Sequence, residues 1–572
     1  MPTIDLEYAE FEKLLGIELH KDMEKINDVL AFVKGEAKLF DEKEGIMNVE
    51  IKDTNRPDVW NVEGLARTLR RFLGLEHGLK KYEIGRQYGE VYVDQRLTNI
   101  RPYIGCSIVK GLKLTDNMIC GFMHMQDKLD QTYGRNRQKT SIGLYNLDLI
   151  KLPLQYTVAR PNDVSFVPLG FTDKMTLKDI LKRHPKGLEY GHVVSKHSVF
   201  PILLDSESKP LSFPPIINSN DLGKISEDTT NILVEVTGTM NETVLNTLKI
   251  VTLSLVDRGG KAYSAMIHYP HLKLDVVTPD FDTCKMDLDI EYMNRILGLH
   301  LDAEGVIELL GRAGYGIEKL EKSKVRVLVP CYRVDVMHQI DIVEDVAIAY
   351  DYNKIKPIWR KIPTTGGVRP ERRLIDVARM LMVGLGFQEV FTYTLTSPEN
   401  LFIKMNCKSQ RIVEVSNPKV NTLTCLRNWL LPSLMELVSN NLHVECPQKV
   451  FELGKITVID EKKETRTKDE ERLAGVVYHA TASFSEVKSA LDSIFMNLAL
   501  EWQIRETKHP SFIDGRAGTA IVDSKDVGVL GEVHPKVLEA WALENPVAAF
   551  ELDMDKIVEL KHASRQKANP PK

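Results

Sequence analysis

The sequence predicts an α+β fold divided among several domains, and three observations lead to that class. The chain has 572 residues, too many for one hydrophobic core, and at ~100–200 residues per domain this implies about three to five domains. Between residues 100 and 270, short β-rich stretches such as Ile104–Val109 and Asn231–Val236 alternate with Gly and Pro punctuation, the texture of a mainly antiparallel sheet mixed with helices. Elsewhere apolar residues recur at the spacing of amphipathic helices. No repeat of about 20–50 residues is visible, which argues against solenoids and propellers.

From the N-terminus to about residue 90, strand and helix patterns alternate. Ile46-Met47-Asn48-Val49-Glu50-Ile51 alternates apolar with polar as a half-buried strand does, and a turn follows at Asn55-Arg56-Pro57-Asp58. Val62, Leu65, Ala66, Leu69 and Leu73 then make one apolar helix face, and Arg67, Arg70 and Arg71 among them read as its solvated side. Pro214-Pro215 ahead of Ile216-Ile217-Asn218-Ser219 reads as a rigid loop entering a strand. Met286–Leu297 and Ala303–Ala313 are helical by period, Arg326–Pro330 reads as a strand, and a helix runs from about Asp341 to Tyr350. Lys361–Pro370, with its Gly-Gly and flanking prolines, reads as a linker. A long amphipathic helix (Leu374, Val377, Ala378, Leu381, Met382, Leu385) opens the last region. Strands are predicted after it at Gln388–Leu395, Arg411–Val415, Lys449–Leu453, Leu473–Tyr478 and Thr519–Val522. The last ~12 residues are basic, contain proline and read as disordered.

Composition narrows the class further. Hydrophobic residues at 43% and charged residues at 27% describe an ordinary globular protein. A net charge of −5 argues against a general nucleic-acid coating protein, while leaving room for a local basic face. The seven cysteines are scattered without a C-x-x-C pair, which points to thiols in a reducing cytosol rather than to a zinc ribbon or a disulfide framework. No apolar run approaches the ~20 residues of a membrane span, and the acidic N-terminus is unlike a secretory signal, so a cytoplasmic location is expected.

The densest chemistry lies in Pro330-Cys331-Tyr332-Arg333-Val334-Asp335 and Asp341-Ile342-Val343-Glu344-Asp345. Asp341 stands three residues from Glu344 and four from Asp345, so a helix sets all three on one face, with Asp335 coming from the preceding loop. Like charges so placed repel, and a hard dication taking carboxylate oxygens in octahedral geometry removes that repulsion; Mg²⁺ is the natural candidate. A second reading is acids placed at a helix N-terminus by its dipole. Spacing alone favours the second; the otherwise apolar character of Asp341–Tyr350 narrows the gap without closing it, because buried carboxylates need a partner.

The run from Pro330-x-Tyr332-Arg333-x-Asp335 through Asp341-x-x-Glu344-Asp345-Val346-Ala347-Ile348-Ala349-Tyr350 to Asn353-Lys354-Ile355-x-Pro357 closely resembles the B5 domain of phenylalanyl-tRNA synthetase β subunits. Asp351 departs from the Gly that often follows the Tyr there, which bears on the turn and not on the ligands. Asn55-Arg56-Pro57-Asp58 with Val62–Arg67 resembles that family's B1 domain. Gly134-Arg135 through Ile142-Gly143, and Phe213-Pro214-Pro215-Ile216-Ile217-Asn218-Ser219, resemble the B3/B4 domain of its archaeal and eukaryotic branch. His509–Phe512 and Gly531–Pro535 resemble the end of its catalytic-like domain. The resemblance implies a B1-like domain (1–95), a B3/B4 editing-like domain (96–272), a small B5-like domain (273–357), a linker (358–370), a class II synthetase-like antiparallel sheet domain (371–558) and a basic tail (559–572).

It also implies what each part does. The chain would be the β subunit of an α₂β₂ ligase joining phenylalanine to tRNA(Phe), with ATP and phenylalanine bound by the α subunit. Acidic Mg²⁺ ligands would map onto Asp335, Asp341, Glu344 and Asp345. The strand Val450–Gly454 has no arginine ahead of it and no Gly-x-Gly-x-Glu-Arg follows, so the synthetase-like domain is expected to be catalytically silent. The B3/B4-like domain would hydrolyse tyrosine wrongly attached to the tRNA, since an apolar pocket for phenylalanine rejects an added hydroxyl poorly and a second, polar site can read it. Glu235, a lone acid in an apolar strand, matches the acid that reads the hydroxyl, or is an outward acid on a half-buried strand. Asn218 and Ser219 would orient water or ribose, or supply ordinary turn polarity. His192 and His197 read as satisfied or exposed. Arg135, Arg137 and Lys139, with the tail Lys561–Lys572, are candidates for tRNA phosphates, or a solvated loop and tail. A stand-alone tRNA-binding or trans-editing protein built on the same B3/B4-like module is the competing reading; the full-length synthetase-like domain, for which such a protein has no use, disfavours it. A DNA-binding protein is disfavoured by the negative net charge.

Overall fold

The alternating run Ile46–Ile51 forms the middle strand of a three-stranded sheet, between Thr3–Glu7 and Gly35–Asp41, because its period-two apolar residues face one core. The computed structural model describes residues 2–41, 45–321, 323–359 and 364–568, in two units that divide between Ile358 and Trp359. The fold is α+β and multidomain. The linker expectation falls partly outside the described residues, at 360–363; the helix Pro370–Gly384 begins at its last residue, the proline fitting the first helical turn. No helix among the described residues is long and apolar enough to cross a membrane.

The first unit is built around a ten-stranded sheet. It starts with the edge strands Ile217–Asn218 and Pro210–Phe213 and ends with Tyr103–Lys110, Asn231–Gly238 and Thr140–Asn146. Most pairings are antiparallel, but Ile84–Val93 runs parallel to both of its neighbours, Lys261–Tyr269 and Leu154–Ala159. Helix Asn241–Asp257 packs on the sheet, burying Val244, Leu248 and Val251 in one core with Ile232, Val234 and Val236 of the strand Asn231–Gly238. Leu233, from the other face of that strand, belongs to a second core with Cys106, Ile108 and Tyr145. A smaller sheet, Cys284–Asp289, Lys324–Val329 and Gly316–Glu321, carries helices Ile290–Leu297, Ala303–Arg312 and Gln339–Tyr350.

The second unit is a seven-stranded sheet with only its first pair, Gln388–Glu389 and Gln448–Ile459, parallel. Helices Pro370–Gly384, Phe484–Asn497 and Met554–Ala568 bury one core against it.

Several elements differ from the sequence reading. Met286–Leu297 is a strand to Asp289 and a helix only from Ile290, where Asp289 caps the first turn by accepting from Glu291 and Tyr292. Gln388–Leu395 breaks into two short strands, and Arg411–Val415 makes only an isolated bridge through Glu414. The end of the chain is helical to Ala568, with 569–572 outside the described residues. Arg67 and Arg71 are buried rather than solvated: Arg67 pairs with Asp257 at 2.6 Å and stacks on Tyr332, while Arg71 donates to the Gly78 and Arg67 carbonyls.

Candidate functional site

The ten-stranded sheet curls until its two edges meet. Tyr145, on the last strand, lies 2.9 Å from Ser212 Oγ on the second, and Asn218 Nδ2 donates to the Leu144 carbonyl at 3.5 Å. At this seam is a cavity of about 380 Å³, lined by Gln126, Arg137, Ser141, Pro215, Asn218 and Glu235 among others.

Glu235 is its buried acid, 2% exposed, on a strand paired on both sides. Its Oε2 accepts from the Tyr145 hydroxyl at 2.7 Å, and its Oε1 is buried without a hydrogen-bond partner. Burial pushes the Glu235 carboxyl up to about 7, although the Tyr145 hydrogen bond, the Arg101 guanidinium and the Thr237 side chain all pull it down. Arg101 is fully buried and donates to Thr237 Oγ1, Ser141 Oγ and the carbonyls of Arg137 and Thr237. It is thus a fixed cation on neutral acceptors beneath the acid.

Asn218 faces the cavity and lies 3.4 Å from the Tyr145 hydroxyl. Ser219 does not line the cavity: its Oγ accepts from Leu222 N and closes the following turn. His192 is exposed, His197 half-buried, and neither reaches the cavity.

The basic loop divides. Arg135 is exposed, but Arg137 is buried and turned inward, donating to the Pro215 and Ile216 carbonyls at 3.0 and 2.9 Å. Its Nε stands 3.0 Å from Asp130, whose carboxyl burial pushes up to about 7. Arg137 therefore braces the proline loop at the cavity rim. Three successive left-handed residues, Arg135, Asn136 and Arg137 (φ 49°, 51° and 62°), turn it there, a strained run for non-glycine residues.

The sequence reading missed Tyr145, Ser212 and Arg101. The available signal was Gly143, a glycine inside an apolar strand, which marks close approach of other atoms.

The acids of the smaller helical domain have separate partners. Arg333 donates to both oxygens of Asp335, at 2.9 and 2.7 Å, and its Nη1 lies 2.7 Å from Asp345. Burial pushes Asp335 up, but Arg56 and Arg333 outweigh it and hold the carboxyl below its ordinary value. Asp341 turns back on its own helix and accepts from the Met337 and His338 backbone amides, both at 2.8 Å. Glu344 is half-exposed and pairs with Lys34 at 2.6 Å. A resident dication needs several carboxylate oxygens turned to one point; here a guanidinium stands between Asp335 and Asp345. Among the described residues no group of three or more His, Cys, Asp or Glu side chains is arranged to hold a metal ion. As the side chains stand, Asp335, Asp341, Glu344 and Asp345 do not converge on one point.

In the second unit Arg427, 1% exposed, is tied to Glu452 at 2.7 Å, to Thr392 Oγ1 and to the Lys455 carbonyl. It belongs to the core rather than to an open phosphate site.

Residues 355–554 match the model of the phenylalanyl tRNA synthetase beta chain CLM domain, and residues 286–352 that of the tRNA synthetase B5 domain. A phenylalanine–tRNA ligase beta subunit of Pyrococcus furiosus is 42% identical over 554 residues, covering 96% of this chain and 99% of that one. That of Archaeoglobus fulgidus is 39% identical over 558 residues, covering 97% and 98%. The crystal structure of an N-terminal fragment of the phenylalanyl-tRNA synthetase beta subunit from Pyrococcus horikoshii superposes with a TM-score of 0.59 at 37% identity, over 61% of this chain and 99% of that one.

Proposed function

Since this chain belongs to the phenylalanine–tRNA ligase β-subunit family, we propose that the cavity at the sheet seam hydrolyses tyrosine mistakenly joined to tRNA(Phe). The observation that carries this is Glu235 Oε1, a buried acceptor with no partner on the wall of a cavity of about 380 Å³. An unsatisfied buried oxygen costs free energy until a ligand donates to it. A phenolic hydroxyl does so, and phenylalanine cannot. Sites built to hydrogen-bond a substrate hydroxyl discriminate against the analogue lacking it by roughly 10⁴–10⁵-fold.

With the phenol on Glu235, the aminoacyl ester extends toward the rim, where Asn218 and the loop braced by Arg137 stand. Water adds to the ester carbonyl, the bond to the ribose oxygen breaks, and free tyrosine and intact tRNA leave. Asn218 supplies an amide to orient the water or the ribose.

The attachment reaction itself is assigned to an α-subunit partner, together with ATP, phenylalanine and the magnesium of that chemistry, in an α₂β₂ assembly in the cytoplasm. The burial of Arg427 supports a catalytically silent sheet in the second unit. Val377, Met380, Val383, Phe391, Tyr393 and Ile403 of that unit are exposed apolar side chains, Met380 by 70% and Phe391 by 89%. Apolar surface of this kind suits a permanent subunit interface.

The test is deacylation of Tyr-tRNA(Phe) by the chain co-expressed with its α partner, with Glu235→Ala beside wild type. A fall of about 100-fold in the variant is expected, roughly the worth of one buried charge-assisted hydrogen bond. A wild-type rate in Glu235→Ala sinks the reading. A stable monomer that clears Tyr-tRNA without any α subunit would put the stand-alone editing protein in its place.

A further inference from the structure

We infer that Tyr145 sets the selectivity of this cavity for a phenolic hydroxyl, as a positioning residue acting through Glu235; the inference rests on the hydrolytic reading above. A phenol carries one proton, and an ionised carboxylate only accepts. When Glu235 is ionised, Tyr145, 2.7 Å from its Oε2 and 2.9 Å from Ser212 Oγ, therefore donates to the acid and accepts from the serine. That assignment uses up Oε2. It leaves Oε1, which has no hydrogen bond of its own, as the oxygen that meets a ligand, with the Thr237 side chain beside the carboxylate.

The backbone is built to permit this contact. Gly143 pairs directly with Glu235 across the strands. A Cβ on Gly143 would lie 2.3 Å from the Tyr145 hydroxyl and 2.6 Å from Glu235 Oε2. Only a residue without a side chain leaves the gap through which the tyrosine reaches the acid two residues away on its own face. Without the hydroxyl the carboxyl group is free to turn, and both oxygens then present themselves without preference. The hydrogen bond also favours the ionised acid, so its removal raises the pH at which Glu235 becomes an acceptor.

The experiment compares wild type, Tyr145→Phe, Gly143→Ala and Glu235→Gln, each in complex with the α subunit. Deacylation of Tyr-tRNA(Phe) and Phe-tRNA(Phe) is followed from about pH 5.5 to 8.5, and co-elution with the α subunit reports that each variant is folded. Tyr145→Phe is expected to narrow the tyrosine-over-phenylalanine ratio in kcat/KM by about tenfold, the worth of one such hydrogen bond, and to move the pH midpoint upward. Gly143→Ala, which keeps the hydroxyl but wedges it from the acid, is expected to shift both in the same direction. Wild-type selectivity and midpoint in Tyr145→Phe, beside lost selectivity in Glu235→Gln, would overturn the inference while leaving the site intact. Unchanged selectivity in Glu235→Gln would overturn the hydrolytic reading, and the role of Tyr145 with it.

Discussion

Arg333 holds a guanidinium nitrogen 2.7 Å from the Asp345 carboxylate, both groups being buried, while its other nitrogens engage Asp335. The cation that neutralises these acids is thus covalently part of the chain. Removing one member of a buried pair strands the other as an uncompensated charge, at about 3–5 kcal/mol. Arg333→Ala is expected to lower the unfolding free energy by that amount. Chelation should leave the wild-type melting temperature unchanged, whereas added Mg²⁺ should raise it in Arg333→Ala, where the two carboxylates lose their counter-ion. A loss of stability on chelating the wild type would contradict this account.

The raised carboxyl of Glu235 makes stability fall with pH. Its folded-state value of about 7 lies above the ordinary 4.5, so between these values the folded chain binds more protons than the unfolded one. The stabilisation of the protonated acid is complete below about pH 4.5 and is lost as pH rises through 7, to a total of about 3 kcal/mol at ~1.4 kcal/mol per unit. Glu235→Gln cannot ionise. Urea titrations at pH 5 and pH 8 should show the variant gaining on wild type at the higher pH by about 1–3 kcal/mol. Asp130 titrates in the same window but is present in both proteins, so the difference isolates Glu235.

Arg137→Met should do two separable things. It strands Asp130, and it releases the carbonyls of Pro215 and Ile216 at the cavity rim. The first costs about 3 kcal/mol of stability and should be recovered by adding Asp130→Asn. The second should persist in the double variant as faster amide exchange across residues 213–218 and slower Tyr-tRNA hydrolysis. Full recovery of both in the double variant would show that Arg137 serves only Asp130.

Phe391→Asp places a charge on an apolar ring of the second unit that is 89% exposed. If this surface meets the α subunit, desolvating that charge at the interface costs several kcal/mol, and co-purification should be lost while far-UV dichroism stays the same. Retained co-purification would move the interface elsewhere.

Local chemistry was legible where local rules decide the structure. The strand Ile46–Ile51, the helix face from Val62 and the acidic helix to Tyr350 follow from apolar spacing, and the stretch 286–297 failed because period alone does not separate a short apolar strand from a helix start. Glu235 and Asn218 stood out as polar residues in apolar or proline-fixed surroundings, and both line the cavity. Charge, by contrast, was misread wherever its partner lies far along the chain. Arg67 meets Asp257, and Glu344 meets Lys34; neither spacing leaves a trace in a local pattern.

By itself the sequence determined the class of fold and the kinship to one family of β subunits, and it singled out the acid on which the proposed hydrolytic site would turn. Only the tertiary structure decided what each charged group faces. A ten-stranded sheet that curls edge to edge brings Tyr145 to Ser212 and Glu235, and a single guanidinium comes to rest between Asp335 and Asp345. Periodicity reports which way a side chain points; the energy of a buried charge depends on what lies a few ångströms beyond it, and that is set by closure of the whole sheet.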